Sequence, residues 1–310
     1  MSFLRSAASH WSSVSETMGS ALRPSTSDGV RLPRTVALAP GRGGQERLVI
    51  DAPAASGELY LHGAHLTSWA PRRAKEVIFT SREAVFDGAT AIRGGVPLCL
   101  PWFAAGPDGD QRPSHGWGRV SPWFLRSAQR EPDGAVSLVL SAQQDGVAAL
   151  YEARFGEELS LSVSLRATGS LPKRVEAALH TYLAVGDVTA VSLTGLEGAE
   201  YVDKTDGGAI HVQDGELRVA GPVDRIYPAL GAVTVTDPAG ARRILVRPVD
   251  ATDVVVWNPW REGAAAFKDM ADDEFASMLC VECARVGGNA VVLEPGESVS
   301  VGARISVESL

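Results

Sequence analysis

Cysteine is scarce: Cys99, Cys280 and Cys283 are the whole complement. An odd, scattered count argues against a disulfide framework and toward a reducing, cytoplasmic setting. Basic side chains are fewer than acidic ones, 29 against 37, for a formal net charge of −8. That balance disfavours a nucleic-acid partner, although a local pair of arginines can still dominate one cleft. No apolar run approaches the ~20 residues of a membrane span, so no membrane partner is expected. No continuous apolar core follows Arg5 to make a secretory signal. Long amphipathic helical stretches are missing, as is regular alternation of strands with helices, which argues against a Rossmann-like sheet. There is no G-x-S-x-G elbow, P-loop, H-E-x-x-H or dinucleotide fingerprint. Metal, nucleotide and serine-nucleophile chemistry therefore lack support, and no cofactor is expected.

What is present is a core and many short strands. Apolar residues make up 45% of the 310-residue chain and charged ones 21%, enough for one large soluble β domain or two ordinary ones. Residues 57–62, 136–141 and 159–165 alternate apolar and polar, the period of a half-buried antiparallel strand. Further strand-like runs cover 175–182, 233–236, 244–249, 254–257 and 298–307, separated by turn signals such as Asp133-Gly134 and Asp214-Gly215. A short turn of helix is expected at 272–275. No repeat or interior linker appears, so the fold class is all-β, a large antiparallel β-sandwich formed by one domain over 35–310. Residues 1–34, rich in Ser and Ala with several Arg and few acids, read as a flexible or loosely docked leader with a weak likeness to a transit peptide.

Chemistry concentrates in 92–123. Arg93, His115, Arg119, Trp102, Trp117 and Trp123 sit there among glycines and prolines that shape and stiffen turns. Guanidinium forks grip anions and tryptophan faces suit the apolar side of a ring, so the segment suggests a ring carrying an anionic group. Each arginine could equally be a solvated surface charge. His180 lies in an apolar strand-like run, either as a satisfied core histidine or as an acid beside a cleft. Glu282 lies in Met278-Leu279-Cys280-Val281-Glu282-Cys283-Ala284. A carboxylate there costs several kcal/mol unless paired or protonated, and partial desolvation is also what a general base needs. Cys280-x-x-Cys283 has a metal or redox spacing but no second Cys/His pair, so both read as small packed residues. Asp224 could bind a hydroxyl or only pair with Arg225. Asp203 and Lys204 carry the same ambiguity, with a structural role favoured.

Six blocks in order resemble the hexose-6-phosphate mutarotases, or glucose-6-phosphate 1-epimerases, of the aldose 1-epimerase superfamily. They are Ile92-Arg93-Gly94-Gly95-Val96-Pro97 with Pro101-Trp102-Phe103, His115-Gly116-Trp117-Gly118-Arg119, His180-Thr181-Tyr182, Asp224-Arg225-Ile226-Tyr227, Val256-Trp257-Asn258-Pro259-Trp260 and Cys280-Val281-Glu282. The resemblance implies a galactose-mutarotase-like sandwich acting on a small sugar phosphate; a monomer is expected. It implies His180 as general acid and Glu282 as general base. It further implies Arg93 and Arg119 as the cations holding the phosphate, with Ser114, His115 and Asp224 contacting the sugar. Leu100 and Cys283 depart from the family pattern, Leu100 suggesting a softer pocket wall. Glu282 would take the proton of the hydroxyl on carbon 1 while protonated His180 gives one to the ring oxygen, opening the ring for reclosure as the other anomer. Two rival readings are an epimerase for free aldoses and a non-catalytic carbohydrate-binding sandwich using Trp102, Trp117 and Trp260 as platforms. A third is a structural sandwich with satisfied core polar groups.

Overall fold

A computed structural model of the chain describes residues 29–310. Residues 1–28, most of the expected leader, lie outside the described residues. Val30 and Leu32, at the end of that leader, already pack against the core.

The alternating runs become strands whose apolar residues point inward. Leu159–Ala167 buries every odd position, as its sequence demands. It lies in a sheet of nine strands among the described residues. Its antiparallel neighbours are Val147–Phe155 on one side and Ser298–Ser309 on the other. The run at 298–307 extends to Ser309. A second large sheet runs Ala209–Val212, Glu200–Asp203, Val223–Pro228, Asp253–Asn258, Met278–Arg285, Ala177–Leu179 and Leu98–Cys99, with Tyr182–Ala184 also paired to Met278–Arg285. A four-stranded meander, Val36–Pro40 to His65–Pro71, completes the main β architecture.

The expected strand over 175–182 is broken. Lys173–Val175 pairs with Val291–Leu293, Ala177–Leu179 with Met278–Arg285 and Leu98–Cys99, and the chain resumes pairing at Tyr182–Ala184. His180 and Thr181 form the interruption. The helical content is small: a 3-10 turn, Glu274–Ser277, forms just after the expected position, and Trp260–Ala266 is an α-helix the sequence reading did not foresee.

The two large sheets stack, with Met278–Arg285 and Ser298–Ser309 in contact across the core. In the antiparallel register Val256 opposes Val281, Val254 opposes Cys283 and Leu179 opposes Cys283. Directly opposed residues share a face, and side chains alternate along a strand. Val254, Val256, Leu179, Leu279, Val281 and Cys283 therefore form one face, and all six belong to the main core. Burying each large side chain contributes about 1.5–3 kcal/mol. The other face carries the candidate site.

Candidate functional site

The register that sends Val281 inward sends its neighbours the other way. Asp224 opposes Trp257, Trp257 opposes Cys280, and Cys280 opposes Tyr182. One step along, Ile226 opposes Val255 and Val255 opposes Glu282. Cys99, Ala178, Val255, Ala284 and Val286 make a small apolar cluster on this face, with Phe103 and Ile226 packed against it. Glu282 thus rises from an apolar floor and is only 1% exposed. His180, in the gap between two short strands, brings its Nδ1 to 3.4 Å from Glu282 Oε1.

Burial dominates the electrostatics of this pair. It pushes the Glu282 carboxyl well above its ordinary value; Asp224 adds to the rise, and Lys204 and Arg119 oppose it. Burial likewise holds His180 well below its ordinary value, reinforced by His115, Arg119 and Arg93. Both groups favour their neutral forms because the apolar floor solvates neither charge. His180 Nδ1 and Glu282 Oε2 make no hydrogen bond within the protein. Cys280 Sγ completes a group of three donor atoms, with His180 and Glu282, that all lie within 4.8 Å of one another.

An aromatic frame fixes His180. Its ring stacks on Tyr182 at 4.9 Å between centroids, and Trp257 meets it edge-on at 5.9 Å. His115 approaches from the opposite wall at 5.8 Å and itself abuts Phe103 at 4.7 Å.

That wall is the 101–119 loop, and backbone hydrogen bonds brace it. His115 N–H donates to Ala104 O at 2.6 Å, and Ala104 N–H donates to His115 Nδ1 at 3.3 Å. An Nδ1 that accepts leaves the ring proton on Nε2, so His115 presents a donor. Burial holds His115 down at about 3, with Arg119, Lys204 and Arg93 assisting. The turn needs glycine at 116: its φ is +77°, and a Cβ there would stand 1.9 Å from Leu100 O. Leu100 is fully buried beneath this loop, so it is a core residue and not the softer pocket wall expected. Trp117, 2% exposed, is likewise core and cannot serve as a stacking platform. Trp102 stays partly exposed, its Nε1–H donating to Pro113 O at 3.0 Å.

The cations divide unequally. Arg119 donates from Nη2 to Ser114 O at 2.9 Å, and its buried Nε has no partner. The Ser114 side chain beside it is exposed. Arg93 is more engaged: Nε meets Asp269 at 3.2 Å, Nη1 donates to Tyr182 OH at 3.2 Å, and the guanidinium lies 4.2 Å over Phe267. Two of its five N–H groups are thereby committed. Asp224 is separated from Arg225 by strand alternation. Arg225 pairs with Asp203 at 3.2 Å, while Asp224 points to the site and burial raises its carboxyl.

Sequence reasoning gives several contributors a structural role or none at all. Lys204 extends over Phe103 at 5.6 Å, and its charge acts on His115, Asp224 and Glu282. Its neighbour Asp203 is structural, accepting from Thr205 N–H at 2.9 Å. Nothing in the local sequence separates the two. Glu176 is buried and accepts from Phe103 N–H at 2.9 Å and Gly287 N–H at 2.6 Å, clamping the loop that holds His115. The cost argument applied to Glu282 would have found it, since it too is an acid in an apolar run. Asn258 donates to Phe275 O and Met278 O at 2.9 and 2.8 Å and accepts from Trp260 N–H at 2.8 Å, locking the turn after Trp257.

A buried imidazole and carboxyl, framed by aromatic rings and within the influence of Arg119, Lys204 and Arg93, can pass protons to and from a bound hydroxyl ring. The chain is similar to several known proteins. Two relatives carry the name "Putative glucose-6-phosphate 1-epimerase". That of Escherichia coli K12 is 34% identical over 76% of this chain and 82% of its own length. That of Cenchrus ciliaris is 31% identical over 82% of each. The crystal structure of a "putative mutarotase" from Salmonella typhimurium superposes with a TM-score of 0.82 at 27% identity, covering 90% of this chain and 96% of that one. The profile of the family described as Aldose 1-epimerase matches residues 46–306, and the chain belongs to the aldose 1-epimerase family.

Proposed function

We propose that this epimerase interconverts the α and β anomers of a hexose 6-phosphate, glucose 6-phosphate foremost. The observation that carries the reading is the 3.4 Å approach of His180 to Glu282 beneath a cleft edged by Arg119, Lys204 and Arg93. The relatives named for glucose 6-phosphate support the phosphate.

Ring opening removes a proton from the hydroxyl on carbon 1 and delivers one to the ring oxygen. Glu282 takes the first and His180 gives the second. The pair holds one proton before and after, so its count is conserved. It begins as carboxylate and imidazolium and ends as carboxylic acid and imidazole. The apolar floor favours the second state, so forming the charged pair costs free energy, which is returned as opening neutralises it. Rotation about the carbon 1–carbon 2 bond then presents the other carbonyl face. Glu282 returns its proton to the carbonyl oxygen as His180 recovers one from the attacking hydroxyl. His115 Nε2–H and Asp224 supply a donor and an acceptor for sugar hydroxyls. Arg119 and Lys204 anchor the phosphate, and Arg93 holds Tyr182 against His180 while keeping N–H groups for the ligand. Remote anchoring of this kind orients carbon 1 between acid and base.

A carbohydrate-binding module would have no use for an imidazole and a carboxyl in this proximity. The test is exchange NMR on glucose 6-phosphate with glucose as control. Accelerated exchange of the phosphate anomers, with a much weaker effect on glucose, is expected. Equal acceleration of both would assign the protein to free aldoses, and none would leave the binding module.

A further inference from the structure

The donor set beside Cys280 is chemically richer than anomer exchange requires. Sulfur, imidazole nitrogen and carboxylate oxygen, all within 4.8 Å of one another, are the ligand types that zinc collects. Two ligands each about 2.1 Å from a tetrahedral zinc stand roughly 3.4 Å apart. The His180 Nδ1 to Glu282 Oε1 separation is 3.4 Å. Both His180 Nδ1 and Glu282 Oε2 are buried and lack a hydrogen-bond partner within the protein, so neither is already committed. The geometry points to a site for a thiophilic divalent cation, zinc(II) by its chemistry, held by His180, Cys280 and Glu282, that reversibly switches the epimerase off.

Charge favours this occupant. Cation binding displaces the Cys280 thiol proton, and the Glu282 proton where present, to solvent. The sulfur and carboxylate then carry two negative charges against two positive ones, and the imidazole is neutral. The assembly has no net charge, which a buried apolar site tolerates far better than any single ion. Three protein ligands leave a fourth coordination position for water or another small ligand. Hard cations are excluded, because magnesium and calcium demand a shell of oxygens. Cys283 cannot join: it opposes Val254 on the core face, so the C-x-x-C spacing is incidental and Cys280 acts alone.

Occupancy would remove the acid and the base together. The loss of activity rests on the function proposed above, whereas cation binding does not, so two measurements separate them. Cobalt(II) replaces zinc as the spectroscopic probe. A single equivalent should give a thiolate-to-cobalt charge-transfer band and the visible bands of a tetrahedral ion. Cys280→Ser should lose the charge-transfer band and Cys283→Ser should keep it. Absence of the band in the native protein, or its survival in Cys280→Ser, overturns the site; the native spectrum decides even if a variant fails to fold. For the second measurement, zinc should abolish glucose 6-phosphate anomer exchange, magnesium should not, and a chelator should restore it. Cys280→Ser should exchange the sugar at the native rate with the same zinc present. Equal inhibition of Cys280→Ser, or activity lost to chelator alone, overturns the switch. A protein with no exchange before zinc is added fails the function proposal, and the cobalt spectrum still decides the site.

Discussion

Glu282 and His180, the proposed base and acid, are two side chains whose burial suppresses both charges. Glu282→Gln keeps the shape and hydrogen-bonding capacity of the site while removing the proton acceptor. It should slow catalysed anomer exchange by about 10²–10⁴-fold and leave sugar-phosphate binding intact, read by exchange NMR and calorimetry together. Retained turnover would take Glu282 out of the mechanism. The cations carry a separable prediction. Hydrogen bonds to charged groups contribute about 1.5–3 kcal/mol, so Arg119→Ala and Lys204→Ala should each raise KM for the hexose phosphate by roughly 10- to 100-fold. KM for the free hexose should barely move. Lys204 is the sharper test, since its sequence context favoured a structural role; an unchanged KM would return it to the surface.

Elements hold these side chains through contacts that lie outside the cleft. His65, fully buried in the strand His65–Pro71, donates from Nε2 to Gly94 O at 2.8 Å and so secures the turn that carries Arg93. Glycine at 95 makes room, because a Cβ there would come within 2.4 Å of His65 Nε2. Burial pulls His65 from its ordinary 6.5 down to about 3, and the Gly94 carbonyl opposes that only partly. The unfolded chain therefore binds a proton below pH 6.5 that the native chain refuses. Its contribution is complete above pH 6.5 and is lost as pH falls toward 3. The loss is roughly 1.4 kcal/mol per pH unit. Urea unfolding at stepped pH should show stability falling through this window. His65→Gln, which preserves a donor for Gly94, should flatten part of the slope; an unaltered slope would place the acid sensitivity elsewhere.

At the scale of the whole molecule, one strand serves two masters. Met278–Arg285 sends Leu279, Val281 and Cys283 toward the stacked sheets and Cys280 and Glu282 to the opposite face, beside His180. Leu279→Ala empties core volume behind the site without touching the cleft. It should cost about 2–5 kcal/mol of global stability. The folded fraction should keep near-native exchange rates, measured by denaturant titration beside NMR. A specific loss of rate in folded protein would mean that the core sets the position of Glu282.

Strand periodicity made the sandwich legible, because alternation of burial is written locally in runs such as 159–165. The cost of an unpaired carboxylate in an apolar run marked Glu282 before any coordinate did. The same local rules could not reveal that Leu100 and Trp117 are core, since loop residues have no period from which to read a face. Nor could they separate Lys204 from Asp203. By itself the sequence determined the all-β class and the glycine-shaped loop, which depend on short-range pattern, and marked Glu282 and His180 as candidates whose acid and base roles came from the family resemblance. Only the tertiary structure decided that His180 meets Glu282, that Arg93 is shared with Asp269 and that Cys280 joins the pair. Those contacts span from 100 to 176 positions and arise from strand register and sheet stacking, which no local stretch encodes.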